Sequence, residues 1–510
     1  MNKDFSEKDI KKVAKGAGTT LIGSSIGKGL FFLSQIIIAR VLGVEIFGLY
    51  ALGFAVAKIC GIISTFGLST GGMRFVSIFK DESRSKLKGI LISSSVFSFL
   101  SGAIIGFVLY ILSNKIAIVI FHNPELKITL QVFAFGVPFV SGMNVVASLL
   151  KGFHTTKYTV YTRDIIQRVV NIMLLIVFHF VGFGLSGVIY AFILSHLMAF
   201  ISGIFYLRKL FPEIKYKDFK PVYEIKDLIF YSVPLLFIDF LHYFLTWTNS
   251  LLLGVLSTTT SVGIYRAASQ LPLIMTIFMM ATNSIYAPLA ANLYKKGEMK
   301  RLESIFKTTT RWVIYITIPI FILIIFSPKE LMMIFGREFI QTGWIILVIL
   351  SFGQLINCMT AGVGMTLTMT AKQKLELFNS AIMLSVNILL CYLLIPKYGA
   401  IGAAIANCVG ISLINLVRLA EVKFLYNMHP FSSVLIKYTL PSSISIIILF
   451  FLNKMVFQTS NIYTFFIKLC AIFIIFMVYF LRKTVWTSED LFVYNKVKNI
   501  ISKNINPAKS

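Results

Sequence analysis

Three basic residues sit deep inside apolar runs: Lys28, Lys58 and Arg266. The two lysines lie about ten residues in from the ends of their runs, too deep for the side chain to reach an interface easily. A charge at bilayer depth costs at least about 2.5–3.5 kcal/mol on the insertion scale. Such cations therefore point to a watery, cationic interior that receives an anion. Charge-assisted contacts to phosphate are strong in that setting. A second set, Asp239, His242, Thr246 and Asn249, is spaced by three, four and three residues. On a helix these form one stripe, and a stripe with a carboxylate should face the interior and find partners. Asp239 and His242 suit proton coupling, since histidine titrates near neutrality and a buried carboxyl group can be moved toward it. The alternative is a structural bridge from Asp239 to Lys28 or Arg266.

Other polar groups share faces with these. Ser24, Lys28 and Gln35 fall on one face, Lys58 and Thr65 on another. Arg266 and Gln270 share a third, followed by Pro272 as a kink, and Gln354 and Asn357 lie further on. Gln35, Asn249, Trp247, Gln354 and Asn357 suit sugar hydroxyls. His179 and His196, alone on apolar runs, read as packed and hydrogen-bonded. Arg40 and Arg168 fall near the ends of runs, where snorkelling suffices.

The elements that carry these residues must be membrane helices. The chain has 510 residues, 57% of them hydrophobic, and a mean hydropathy of +0.83. That composition describes a polytopic all-α membrane protein, not a soluble globule. Fourteen spans are expected, at 17–41, 48–70, 90–112, 128–149, 165–182, 186–207, 228–256, 262–290, 308–327, 342–365, 376–395, 399–420, 438–456 and 465–481. Each of the first two runs is long enough to cross roughly 30 Å of hydrocarbon. The first is too long for a signal-peptide core and is kept as a span.

The net charge of +27 would suit nucleic acid, but the basic residues cluster in alternate connections. That is the positive-inside pattern, and it places both termini in the cytoplasm. No nucleic-acid partner is expected. Five cysteines, all in apolar runs and with no CxxC pair, read as buried small hydrophobes.

The chain echoes itself. Leu42-Gly43 with Phe47-Gly48-Leu49-Tyr50 returns as Leu253-Gly254 with Val262-Gly263-Ile264-Tyr265. Asn171 with Phe183-Gly184-Leu185-Ser186-Gly187 returns as Asn387 with Tyr398-Gly399-Ala400-Ile401-Gly402. The shared offset of 211–216 residues predicts two parallel six-helix repeats, residues 1–227 and 228–437, around a central cleft. Two further spans at 438–481 and a basic cytoplasmic tail at 482–510 complete the expected organisation.

The opening stretch carries a family resemblance. A Gly/Ser-rich first helix (Gly16, Gly18, Gly23, Ser24, Ser25, Gly27) leads to Ile37-Ile38-Ala39-Arg40-Val41-Leu42-Gly43 and then Phe47-Gly48-Leu49-Tyr50. The second helix ends in Phe66-Gly67-Leu68-Ser69, with Arg74-Phe75 as its exit. This resembles the polysaccharide-transporter (Wzx-like) flippases, relatives of the lipid II flippases and of the multidrug and toxin extrusion antiporters. The resemblance implies translocation of a polyprenyl-diphosphate-linked oligosaccharide across the cytoplasmic membrane by alternating access. The implied partners are the lipid bilayer, the lipid-linked glycan and glycan-assembly enzymes; no cofactor or metal is expected.

Competing classes are weighed by the same residues. A drug/cation antiporter needs acidic groups, and Asp239 is the one clear deep carboxylate. A lipid II flippase fits the spans and basic groups equally well. A membrane glycosyltransferase or glycan polymerase needs catalytic groups on a sizeable outer loop, yet those loops are short and Glu45, Glu330 and Glu338 form no acidic pair. There is no nucleotide-binding loop, metal-ligand spacing or nucleophile triad. A structural scaffold would not require buried charges.

Overall fold

The computed structural model describes residues 7–215, 220–455 and 462–481, and among these there is no strand. The basic tail expected at 482–510 lies outside the described residues. The helices are α1 (Glu7–Thr65), α2 (Leu68–Glu82), α3 (Arg84–Lys115), α4 (Leu126–Ala134), α5 (Val137–Gly152), α6 (Lys157–Thr159), α7 (Gln167–Val181), α8 (Gly184–Leu210), α9 (Ile225–Leu256) and α10 (Thr259–Gln270). After them come α11 (Leu273–Lys295), α12 (Met299–Phe326), α13 (Pro328–Met333), α14 (Ile340–Met359), α15 (Val363–Met369), α16 (Gln373–Tyr426), α17 (Thr439–Met455) and α18 (Ile462–Leu481). Ten described helical stretches are long and apolar enough to cross a membrane, and eleven if the bent α4–α5 pair is one span.

Two of these stretches are too long to cross once. At 1.5 Å per residue, the 59 residues of α1 would extend about 88 Å. The chain breaks the helix at Gly43, with φ 74° and ψ 176°, and breaks α16 in the same way at Gly399, with φ 55° and ψ −130°. Only glycine takes such backbone values without a Cβ penalty. Residues just after Met333 buttress the first break: Arg40 donates to the Ile334 carbonyl at 2.7 Å, and the Val44 amide donates to Glu338 at 3.3 Å. Gly184 and Gly399, equivalent in the echoed motifs, both adopt positive φ, 53° and 55°.

The described residues pack as two compact units. The first comprises the described part of Met1–Gln270 with Ile334–Gly343 and Val386–Ala406. One of its cores gathers Leu68, Val76, Ile90, Leu149, Leu207 and Leu228. Its tightest crossing joins the arm of α1 after Gly43 to α10. A Cβ at Gly48 would overlap the Thr259 carbonyl, and one at Gly263 would overlap the Val44 carbonyl. The echoed glycines thus approach each other's helices reciprocally. At the start of α9, Lys86 pairs with Glu224 at 2.5 Å and the Arg74 guanidinium lies 4.2 Å from the Tyr231 ring centre.

This crossing gives a test within one helix. Gly29 has open space around it, whereas Gly48 faces backbone. Gly29→Ala should leave stability unchanged or raise it by up to about 1 kcal/mol, because alanine is the better helix former. Gly48→Ala should lower it by about 1–3 kcal/mol through overpacking. Thermal unfolding of the detergent-solubilised variants measures both.

The second unit comprises Leu271–Met333, Trp344–Ser385 and the described part of Asn407–Ser510. Its cores centre on Tyr286, Phe306, Val363 and Val422, and on Tyr315, Tyr438, Ile472 and Phe476. Tyr315 and Tyr438 stack at 3.8 Å. The ends of α16 are tied together by Arg418, which pairs with Glu376, and by Asn379, which donates to Glu421 at 2.7 Å. Lys468 on α18 donates to Glu330 at 2.7 Å and to the Phe326 carbonyl at 2.9 Å. Both members of that ion pair are almost wholly buried, at 3% and 5% exposure. Glu330, expected on an outer loop, is therefore a buried structural anion. Its partner lies 138 residues away in sequence, which local reading does not reach.

Candidate functional site

The first unit holds a set of cations supported by aromatic rings. Lys58, on the second arm of α1, is half-buried, with Nζ 5.6 Å from the Phe54 ring centre and 5.7 Å from that of Phe192. Arg266, on α10, lies over Trp247 of α9 at 3.8 Å. Trp247 in turn contacts Phe54 at 5.3 Å and stacks with Tyr243 at 5.8 Å. One line of contacts thus runs from Lys58 through Phe54 and Trp247 to Arg266. The Tyr243 hydroxyl donates to the Ala55 carbonyl at 2.7 Å and pins α9 against α1.

Among the described residues, no carboxylate lies within 4.0 Å of Lys58 or Arg266. A cation on a ring gains about 0.5–2 kcal/mol, less than a buried hydrogen-bonded ion pair. The rings therefore hold the two side chains in place without neutralising them, and an anionic group can still engage them.

The remaining predicted residues divide by location. Lys28 is exposed on the first arm of α1. One turn before it, Ser24 donates to Asp164 at 3.5 Å, and Gly27 packs against Asp164. Gln35 is buried. Asn249 is buried and accepts from the Cys391 thiol at 2.9 Å. Gln270 is buried, and its Nε2 has no hydrogen-bond partner among the described residues.

Asp239 is half-buried and makes no ion pair with a described residue; its charged neighbour is His242, which is exposed. The alternative bridge to Arg266 is thus not formed. Gln354 and Asn357 belong to the second unit. There Asn357 donates to Gln354 at 3.1 Å and accepts from Asn415 at 3.3 Å.

The sequence places Arg168 near the end of a span that begins at 165. The helical stretch instead begins at Lys157 and runs through the π segment Val160–Ile166 into α7, so Arg168 lies well inside it. The polar residues Thr159, Thr162 and Asp164 hid that beginning from hydropathy. His196 is buried, with Nδ1 2.8 Å from the Phe192 carbonyl, whereas His179 is exposed.

These long apolar helices define a multi-pass membrane protein. The chain belongs to the family described as polysaccharide biosynthesis protein, whose profile matches residues 13–294; the MatE profile matches residues 234–393. It is 24% identical over 426 residues to the probable low-salt glycan biosynthesis flippase of Haloferax volcanii, covering 81% of this chain and 86% of that one. It is 22% identical to the putative O-antigen transporter of Shigella flexneri, covering 77% of this chain and 94% of that one. In fold it is similar to the inward closed conformation of the lipid II flippase MurJ, with a TM-score of 0.72 and 16% identity. That likeness covers 91% of this chain and 99% of the other. An inward-facing multidrug resistance MATE family transporter gives a TM-score of 0.63 at 15% identity, covering 80% and 94%.

Proposed function

We propose that this protein is a flippase, not an enzyme, that carries a polyprenyl-diphosphate-linked oligosaccharide across the cytoplasmic membrane for cell-surface glycan synthesis. The observation that carries this reading is the pair of interior cations, Lys58 and Arg266, seated on rings without a carboxylate partner. They supply the charge for a diphosphate, with Lys28 on the approach. Gln35, Asn249, Gln270, Gln354 and Asn357 provide amides for sugar hydroxyls. The lipid tail stays in the bilayer, and rocking of two halves, residues 1–227 and 228–437, reopens the path to the other leaflet. The reciprocal approach of Gly48 and Gly263 and the matching φ at Gly184 and Gly399 support this two-repeat organisation. The breaks at Gly43 and Gly399 support fourteen spans, with both termini cytoplasmic by the positive-inside pattern. Asp239 and His242 are proposed to couple transport to protons, and glycan-assembly enzymes to deliver the cargo.

The test is reconstitution into liposomes with a polyprenyl-diphosphate oligosaccharide added on one side. Time-dependent appearance of the glycan on the other leaflet is the expected result. The second reading, a drug/cation antiporter, draws on the MatE match over residues 234–393 and on Asp239. Cation-driven dye efflux without glycan movement would replace the flippase reading with it. Movement of lipid II alone would narrow the substrate to that peptidoglycan precursor.

A further inference from the structure

Three side-chain amides of the second unit form a hydrogen-bonded chain whose direction is fixed. Gln354 and Asn357 stand three residues apart on α14 and share a face of that helix. Phe352, 47% exposed, marks the other, exposed side. Asn415, almost wholly buried, comes from the arm of α16 after Gly399. The two helices approach closely here, since a Cβ at Gly353 would lie 3.0 Å from the Cα of Cys408. Asn415 donates through Nδ2 to the Ile411 carbonyl at 2.9 Å and to Oδ1 of Asn357 at 3.3 Å. Asn357 donates through Nδ2 to Oε1 of Gln354 at 3.1 Å. The backbone carbonyl sets the whole chain. It can only accept, so Asn415 must turn its amino group towards it. Asn357 then has to offer its oxygen to Asn415 and its amino group to Gln354, because two amino groups face to face share no acceptor. Gln354 is left with Nε2 as the end of the chain. It is half-buried, and no described residue accepts from that group.

We propose that this chain reads the cargo glycan: Gln354 gives its Nε2 to an acceptor-only oxygen of a sugar, and Asn415 is the positioning residue that fixes that polarity. The inference rests on the flippase reading and deepens it by naming the sugar substituent. Two substituents carry such an oxygen, the carbonyl of an acetamido group and the carboxylate of a uronic acid. A sugar hydroxyl can also accept, but it must then find a second partner for its own proton. Each amide in the chain polarises the next, which strengthens the last N–H as a donor. The half-buried setting adds to the discrimination, because a donor left unmatched away from water is costly. A chain free to turn round would present Oε1 as readily as Nε2 and would serve a hydroxyl equally well. The Ile411 carbonyl, acting through Asn415, removes that freedom.

The test uses the full-length protein in liposomes with polyprenyl-diphosphate carriers that differ only in the sugar: N-acetylglucosamine, glucuronic acid or glucose. Initial flipping rates are measured below saturation. Wild type should move one or both of the first two about three- to tenfold faster than the glucosyl carrier, the factor expected for one hydrogen bond. Whichever leads identifies the oxygen as acetamido carbonyl or carboxylate. Gln354→Glu still accepts from Asn357 but turns the free end into a second acceptor, so the preference should vanish and the glucuronosyl carrier should fall below the glucosyl one. Gln354→Met removes both atoms and should level the rates. Asn415→Leu frees the chain to turn and should cut the preference to under about twofold while the glucosyl rate holds. The unfolding temperature of each variant checks that the fold is retained. Wild-type rates that are equal, or highest for glucose, refute the inference and leave the flippase reading intact, as does a preference that survives in Gln354→Met. A preference lost in Gln354→Met but kept in Asn415→Leu overturns the positioning role of Asn415. Failure of wild type to move any carrier refutes this inference together with the flippase reading.

Discussion

Lys58→Met is expected to cut flipping of a polyprenyl-diphosphate oligosaccharide in liposomes by at least about 30-fold while leaving the folded protein as stable as wild type or more so. The two effects have one cause. Lys58 is held by Phe54 and Phe192 rather than by a carboxylate. Removing it takes away an uncompensated charge, and methionine keeps the contact with the rings. Stability therefore does not fall. Transport falls because a desolvated charge contact to the headgroup is worth about 2–5 kcal/mol when one partner is removed, and each 1.4 kcal/mol is a factor of ten. Lys58→Arg restores a cation and should recover part of the rate. The rate of glycan appearance and the unfolding temperature, measured on the same preparations, check this. A Lys58→Met protein that flips at the wild-type rate would remove Lys58 from the site.

Lys468→Met is expected to act in the opposite sense, with stability falling by about 3–5 kcal/mol. Here the lysine has a buried carboxylate partner, Glu330, and also donates to the Phe326 carbonyl. Removing one member of a buried pair leaves the other charge uncompensated, which is the costly change. Thr464, whose hydroxyl lies 3.5 Å from Glu330, is too weak a donor to replace an ammonium. The double variant Lys468→Met/Glu330→Leu should recover most of the loss, because a well-packed apolar pair is often as stable as a buried ion pair. Unfolding temperature and yield from membranes measure the series. A single variant as stable as wild type would show that the pair contributes little, whatever its geometry.

These two lysines show where sequence reading reached its limit. Both lie in apolar helices, and nothing local distinguishes them. The deciding fact is whether a carboxylate from a distant part of the chain comes within reach. Glu330 arrives 138 residues before Lys468; none of the described carboxylates reaches Lys58. The start of the helical stretch that carries Arg168 was hidden for a different reason. Hydropathy began its span at 165, whereas backbone hydrogen bonding carries the helix back to Lys157 through polar residues. Gln35 and Asn249 were legible as interior amides, but the contact of Asn249 with Cys391, 142 residues further on, was not, because that depends on how the helices pack.

By itself the sequence determined that this is an all-helical membrane protein. A long apolar run has no other way to satisfy its backbone in lipid. It supplied glycines where the long helices can break, and the fold selected Gly43 and Gly399 among them. It also marked Lys28, Lys58 and Arg266 as candidate interior groups, because a charge inside an apolar run needs a reason to be there, and of these Lys28 is exposed. Only the tertiary structure decided which cations remain uncompensated. That property depends on distances between side chains from different helices, and a linear pattern does not encode them.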